Sequence, residues 1–512
     1  MMIELNPVLR CFAERAPLPV MVRAILERCL NAEQVNGWFE RVVEAQYTRR
    51  LLFSSVFELM TQVVLRQQPS VHAACRAAVA EIGVSVTSVY NKLNGLEPST
   101  SAALVGHAAE QAEALIEELG AARSPLLAGV RVKVLDGTCL EGREHRLRET
   151  RASTAGPLPG KALAVFDPAL DLITALYPCE DAYTQERALL GPVLAAVRAG
   201  ELWIADRNFC TAGFLSGLAA RGARALIREH EGLRFTPLEA MREAGRVGAG
   251  AVAEQWVRLG PTTATAGLRL RRIRVRLDRP TRNGDDTLYL FSTVPVEVAD
   301  ARTLAEMYRQ RWTLERAFLH LTTELRCEVD TLSYPPAALF ALACAVVAFN
   351  GLGVVKAALR AAHGLEAAEQ VSGYYLAIEL GNVAESLDVV LDAQDWAVFQ
   401  TVPRAIFAKW LQQQAARIDL RRYRKSRRGP KKPRLNGSTT PSGLMSRSPA
   451  CSPSEARSRH LESPGLWLAR SRGRQILVIG VDGAVKLRGL AHCLQVRDFE
   501  KLSSPFVGLG FD

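Results

Sequence analysis

The chain lacks the marks of several protein classes. Its ten cysteines (Cys11, Cys29, Cys75, Cys139, Cys179, Cys210, Cys327, Cys344, Cys451 and Cys493) are scattered, with no CxxC pair and no zinc-ligand spacing. That pattern argues against a zinc-built module and fits small apolar side chains in a reducing compartment. Near the start, Glu4, Arg10, Glu14 and Arg15 interrupt any apolar run, so no secretory signal is expected. One stretch lacks charge altogether: none occurs from Thr331 to Val355, and residues 337–347 are continuously apolar. Length alone permits a membrane span there. The Pro335-Pro336 start, the Asn350-Gly351 interruption and the dominance of alanine predict instead a helix buried in a protein core.

Acids are the minority charge. Lysine and arginine number 64 against 53 aspartates and glutamates, giving a net charge of +11 and a pI near 9.3. A basic balance favours polyanionic partners. The charge is spread widely, with its densest run at residues 421–434. At 512 residues and 48% hydrophobic composition, the chain should hold more than one domain and substantial cores.

Residues 1–125 read as helical. Within them, an apolar-periodic helix at 71–82, a turn at Gly83 and a helix at 85–93 capped by Ser85 resemble a helix-turn-helix, with Thr87, Ser88, Asn91 and Lys92 outward. Plain helical packing explains the same pattern. From residue 126 the pattern becomes strands at 130–136, 161–166 and 172–177, a helix at 184–198, a strand at 202–206, a helix at 212–220 and a strand at 223–228. The order β-β-β-α-β-α-β is that of a ribonuclease H-like fold, in which the first and fourth strands are neighbours. Residues 230–295 break the series and read as a β-rich insertion. It contains an arginine-striped strand at 268–277, a turn at Asn283-Gly284 and a strand at 287–293. The stripe suits a phosphate track or a solvated face equally. A helix at 304–325 follows, then the apolar helix, completing the core at 296–360. Residues 361–437 read as helical with a basic end, and 438–512 as an atypical, unstructured tail with one strand at 476–481. The expected fold class is α/β: a ribonuclease H-like mixed sheet with a β-rich insertion, flanked by N-terminal and C-terminal helical regions.

Three acids organise this layout. Asp136 and Asp206 each end a strand, and Glu315 lies on the later helix. Two divalent ions roughly 3.5–4 Å apart activate a water and stabilise a leaving oxygen in phosphodiester cleavage, and magnesium prefers carboxylate ligands. Acids at strand ends are also common caps, so the expectation rests on the three together. Tyr308, Arg311 and Glu315 are spaced three and four apart and share a helix face, with Thr322 further along the stripe. Arg311 suits a bidentate phosphate contact beside Glu315, or an internal ion pair with it. Tyr308 suits the DNA backbone or stacking.

Tyr308, Arg311 and Glu315 match the Y-x2-R-x3-E part of the signature of insertion sequence 4 family DDE transposases. Asp136-Gly137-Thr138, Leu158-Pro159-Gly160-Lys161 and Asp206-Arg207-Asn208-Phe209 resemble that family's blocks around its two aspartates. The resemblance covers about residues 50–435. It implies cut-and-paste transposition through a hairpin, with Asp136, Asp206 and Glu315 as catalytic residues and ligands of two magnesium or manganese ions. Tyr308, Arg311, Trp312, Thr322, Lys161 and Arg207 are the expected DNA contacts. The implied partners are double-stranded DNA, as terminal inverted repeats and target, and a second copy in a synaptic homodimer, with no membrane. The implied location is the cytoplasm of a bacterium, on the nucleoid. Trp312, Tyr289 and Phe291 are candidates to hold a flipped base, with core packing the alternative for each.

There are two departures. The signature continues to a lysine where this chain has Thr322, with Arg316, His320 and Arg326 nearby as substitutes. The family ends soon after a basic run like residues 428–433, whereas 75 residues follow here from Ser438 to Asp512. A frameshift or a fused downstream frame is the expectation for that tail. Two other readings stand beside the transposase: a catalytically defective, element-derived protein that binds transposon ends, and a ribonuclease H-like nuclease without strand transfer.

Overall fold

Valine and leucine dominate the first half of the strand β1 (Val132–Cys139), whose Val132, Val134 and Leu135 are buried. A strand buried on both faces lies inside a sheet, not at its edge. The computed structural model describes residues 3–44, 50–140, 159–260, 267–281, 284–329, 331–332, 334–425, 466–471, 474–481 and 484–485. In it, β1 pairs with β2 (Lys161–Asp167) antiparallel, and β2 with β3 (Leu172–Cys179) antiparallel. On its other side β1 pairs in parallel with β4 (Leu202–Ala205), which pairs in parallel with β5 (Arg224–Arg228). The order β3-β2-β1-β4-β5 is the ribonuclease H-like arrangement expected from the sequence.

The sheet does not stop there. β6 (Phe235–Pro237), β7 (Arg242–Val247), β8 (Gly250–Leu259), β9 (Arg269–Leu277) and β10 (Thr287–Ser292) complete it. β10 pairs antiparallel with β5, so the order runs on as β10-β9-β8-β6, with β7 also on β8. The β-rich segment is therefore an edgewise extension of the central sheet. Its turn residue Asn283 lies outside the described residues, as do Leu158 of the Leu-Pro-Gly-Lys block and residues 426–434 of the basic run.

One face of the sheet is covered by short helices. Leu190, Val193, Phe214, Leu215 and Leu218 from helices Leu190–Ala196 and Ala212–Ala220 pack on Leu135, Leu163, Trp203 and Ile227. The helix expected at 184–198 is shorter than that, because residues Glu186–Leu189 form a 3₁₀ turn first. On the edge β3 lie helix Pro98–Glu118 and the apolar helix Pro335–His363. The latter is long and apolar enough to cross a membrane, yet its apolar window is entirely buried in the protein. Its prolines sit at the first turn, where a missing N–H costs nothing. Asn350, which interrupts the apolar run, is 1% exposed, and its side-chain amide pairs both ways with the backbone of Ile173 in β3, at 2.9 Å each.

The N-terminal residues fold as helices from Pro7 to Glu118. The helix expected at 71–82 is interrupted at Ala78, giving Val71–Ala77 and Val79–Ile82. Gly83 takes the turn with φ +62°, a conformation that favours glycine, and the Ser85 side chain caps helix Val86–Asn94. Thr87, Ser88 and Asn91 are exposed as expected. Lys92 is not outward: its ammonium lies 4.9 Å from the Phe39 ring. All eight described cysteines are free thiols, five of them buried.

Contacts divide the chain once, into Met1–Tyr423 and Arg424–Asp512. Of the tail 438–512, three antiparallel strands are described: Leu466–Ser471, Arg474–Val481 and Ala484–Val485.

Candidate active site

The parallel ladder brings the two aspartates together. Its last pair is Leu135 opposite Ala205, so Asp136 and Asp206 are the next residues on adjacent strands. Asp136 does not end its strand as expected, since β1 continues to Cys139 against β2. Asp206 does end β4, and its backbone opens the 3₁₀ turn Arg207–Phe209.

The third acid arrives on a broken helix. Helix Ala301–Tyr308, capped by Asp300, gives way to a 3₁₀ turn at Arg309–Arg311 before helix Trp312–Thr323 begins. The continuous helix expected at 304–325 is therefore two helices. Tyr308, Arg311 and Glu315 sit around that joint. The Tyr308 hydroxyl donates to Asp206 Oδ1 at 3.4 Å. Arg311 donates from Nη1 to Asp136 Oδ2 at 3.0 Å and pairs through Nη2 with Glu315 Oε1 at 2.7 Å. One guanidinium thus ties the first strand to the late helix, which is the ion-pair alternative for Arg311. Its Nε is buried with no hydrogen-bond partner among the described residues.

Burial pushes the Asp136 carboxyl up to about 6 despite the opposing pull of Arg311, with Glu315 and Asp206 adding to the rise. Burial, reinforced by Asp206, raises the Tyr308 hydroxyl well above the usual tyrosine range, so it stays protonated and donates. For Arg311, burial works against the charge, but Tyr308, Asp136, Asp206 and Glu315 together hold it above its ordinary value.

Three carboxylates against one guanidinium leave two net negative charges at this point. An all-oxygen, negatively charged donor set fits hard divalent cations such as magnesium or manganese. Among the described residues, no three acidic, histidine or cysteine side chains are already closed around a single ion-sized position. The Arg311 guanidinium is the cation between Asp136 and Glu315 here.

The other expected contacts separate into reachable and unreachable groups. Trp312 is 61% exposed on the first turn of the Glu315 helix. Arg207 is exposed beside Asp206. Lys161 is half-buried, its ammonium donating to the Thr184 carbonyl. Thr322 is exposed, but its hydroxyl bonds back to its own helix at Leu319 O and Phe318 O. Of its possible substitutes, His320 pairs with Glu324 and Arg326 donates to Pro69 O, leaving Arg316 exposed. Phe291 is fully buried in the core, and Tyr289 lies beneath the Arg272 guanidinium at 3.9 Å. Only Trp312 of the three aromatic candidates is open to an incoming base.

The middle of the β9 arginine stripe is paired within the protein, while Arg269 and Arg276 towards its two ends are exposed. Arg271 is buried on Glu254 and the carbonyls of Val294 and Ala299. Arg272 pairs with Glu229, and Arg274 with Glu243.

Sequence reasoning missed Glu186. It opens the 3₁₀ turn Glu186–Leu189, its carboxylate accepts from Asn208 Nδ2, and it lies against Gly137. The available signal was Gly137 itself, since a glycine inside a strand marks a close approach.

Residues 129–348 match a protein-family model described as a transposase DDE domain. The matched segment contains Asp136, Asp206 and Glu315. No curated protein matches the chain. Among solved structures, a piggyBac transposase synaptic complex with hairpin DNA is similar, at 10% identity and a TM-score of 0.35, covering 75% of this chain and 82% of that one.

Proposed function

On the premise that residues 129–348 form a transposase DDE domain, we propose that this protein is an insertion-sequence transposase of the insertion sequence 4 type. It cuts at the element's terminal inverted repeats and joins the freed 3′-hydroxyls to target DNA. The observation that carries the reading is the convergence of Asp136, Asp206 and Glu315 around Arg311 and Tyr308. The three carboxylates would hold two magnesium or manganese ions. Such ions, when bound, activate the attacking water and stabilise the leaving oxygen.

The chain's own residues do the rest. Tyr308 fixes Asp206 by donating to one of its oxygens, leaving the other for a cation. Arg311 holds Asp136 and Glu315 on two arms. Its Nε, buried and without a partner among the described residues, is a donor that a phosphate oxygen would satisfy. Arg207 supplies positive charge beside Asp206 for the DNA backbone. Trp312 offers an open indole face to an unstacked base near the cut. Two copies acting together on paired ends, in the cytoplasm on the bacterial nucleoid, complete the proposal.

The test is cleavage of a plasmid carrying the element's own flanking ends, with and without magnesium, by wild type and Glu315→Gln. The reading requires magnesium-dependent cuts at the ends by wild type, reduced at least 100-fold in the variant, as expected when a metal ligand is lost. End binding without cuts by wild type would instead identify a defective end-binding protein.

A further inference from the structure

The aspartate motifs contain two residues to which the proposed chemistry gives no task, Gly137 and Asn208. Both meet at Glu186. A methyl group added at Gly137 would lie 2.6 Å from the Glu186 carboxyl carbon, so only glycine lets that carboxylate sit against β1. Alternation along β1 puts Gly137 on the same face as Leu135, opposite to Asp136. Glu186 therefore backs the strand from the side away from Arg311. From there its carboxylate accepts a hydrogen bond from Asn208 Nδ2. The next residue, Arg187, donates from Nε to the Asn208 carbonyl at 2.7 Å. Asn208 is thus gripped at side chain and backbone, two residues after Asp206. The gripping turn is itself held, because Lys161 at the start of β2 donates to the carbonyl of Thr184.

We propose that Glu186 is a positioning residue: with Arg187 it clasps Asn208 across the end of β1 and so sets Asp206 beside Asp136 for the cations. Parallel strands β1 and β4 share backbone pairing only as far as Leu135 and Ala205. Beyond that pair, no ladder bond fixes the separation of the two aspartates, and the clasp supplies the missing constraint. The role needs an acceptor at position 186, not a charge. It rests on the transposase reading above.

The experiment compares wild type, Glu186→Gln, Glu186→Ala, Asn208→Ala and the double variant Glu186→Ala with Asn208→Ala. Manganese binding to the DNA-free protein is followed by isothermal titration, together with end cleavage across magnesium concentrations and thermal melting. Glu186→Gln keeps an acceptor and should stay within about threefold of wild type in both assays. Glu186→Ala should weaken manganese binding and raise the magnesium needed for half-maximal cutting by about tenfold or more, while end affinity is unchanged. Asn208→Ala should do the same, and the double variant should be no worse than either, since both remove one interaction. The clasp is overturned by Glu186→Ala binding manganese like wild type, or by Glu186→Gln failing as badly as Glu186→Ala, which would make the charge itself the functional element. If Glu186→Ala melts early, Asn208→Ala supplies the same comparison from the other side. A wild type that cuts normally while Glu186→Ala does too rejects the clasp alone. A wild type that neither binds manganese nor cuts rejects the transposase reading, and the clasp with it.

Discussion

Burial of its charge makes the ionised form of Asp136 costly at neutral pH, and Arg311 beside it does not remove that cost. Its folded value of about 6 lies above the ordinary 3.8, so the folded state disfavours its ionised form. The cost is absent below about pH 4, grows through the window between 3.8 and about 6, and is fully present above it. Integrated over that shift it amounts to about 3 kcal/mol. In chelator, Asp136→Asn should therefore be more stable than wild type at pH 8, by about 1–3 kcal/mol, with the gap shrinking at pH 4.5. Urea unfolding at the two pH values measures this; a gap that is equal at both, or absent, removes burial of the charge as its cause. The three acids were legible because strand ends and the Y-x2-R-x3-E spacing are local patterns. Arg311's choice between phosphate and carboxylate was not, since it depends on Asp136, 175 positions away in the chain. Glu186 was invisible for the same reason, its partner Asn208 being on another turn.

Elements show the same division between local and distant causes. The succession of strands followed from runs of apolar residues, while their order in the sheet came from matching that succession to a ribonuclease H-like fold. The joint at Arg309–Arg311 escaped because residues 304–325 keep helical spacing on both sides of it. The extension of the sheet through β10 escaped because pairing with β5 is a matter of tertiary register, set by Phe291 opposite Ile227. Arg271, Arg272 and Arg274 of β9 read as part of a basic face only while their partners Glu254, Glu229 and Glu243 were unknown. Asn350 is the clearest case: in sequence it interrupts an apolar helix, and in the fold it satisfies a buried backbone N–H and C=O at once. Leucine at 350 would leave both groups unpaired, at about 1–3 kcal/mol each. Asn350→Leu should thus lower stability by about 2–5 kcal/mol even though it makes the helix more uniformly apolar. Chemical denaturation checks it; an unchanged or raised midpoint would mean that the amide pairing contributes nothing.

For the molecule as a whole, the first compact unit closes at Tyr423, whose carbonyl accepts from Ser372 N at 2.7 Å and whose hydroxyl reaches Glu379. A chain ending at residue 437 keeps the whole unit Met1–Tyr423 and should accordingly melt within about 2 °C of the full-length protein. Ending instead at 423 also deletes the basic residues from Arg424 to Arg434, seven in all (Arg424, Lys425, Arg427, Arg428, Lys431, Lys432 and Arg434). That shorter chain should keep its melting temperature but bind DNA more weakly, with a shallower dependence on salt. Calorimetry and binding across a salt series separate the two effects. An early melt of the 437-residue chain would show that the tail supports the fold.

A sheet this wide also has two ends, and open ends invite neighbouring molecules to add strands. At one end β3 has the outward backbone of Ile173 already matched by the Asn350 amide. At the other, β8 is bordered over part of its length by β6, which spans only Phe235–Pro237 with a proline that has no N–H to offer, and over the rest by β7. Asn350 thus occupies, at Ile173, part of the β3 edge that an incoming strand would need.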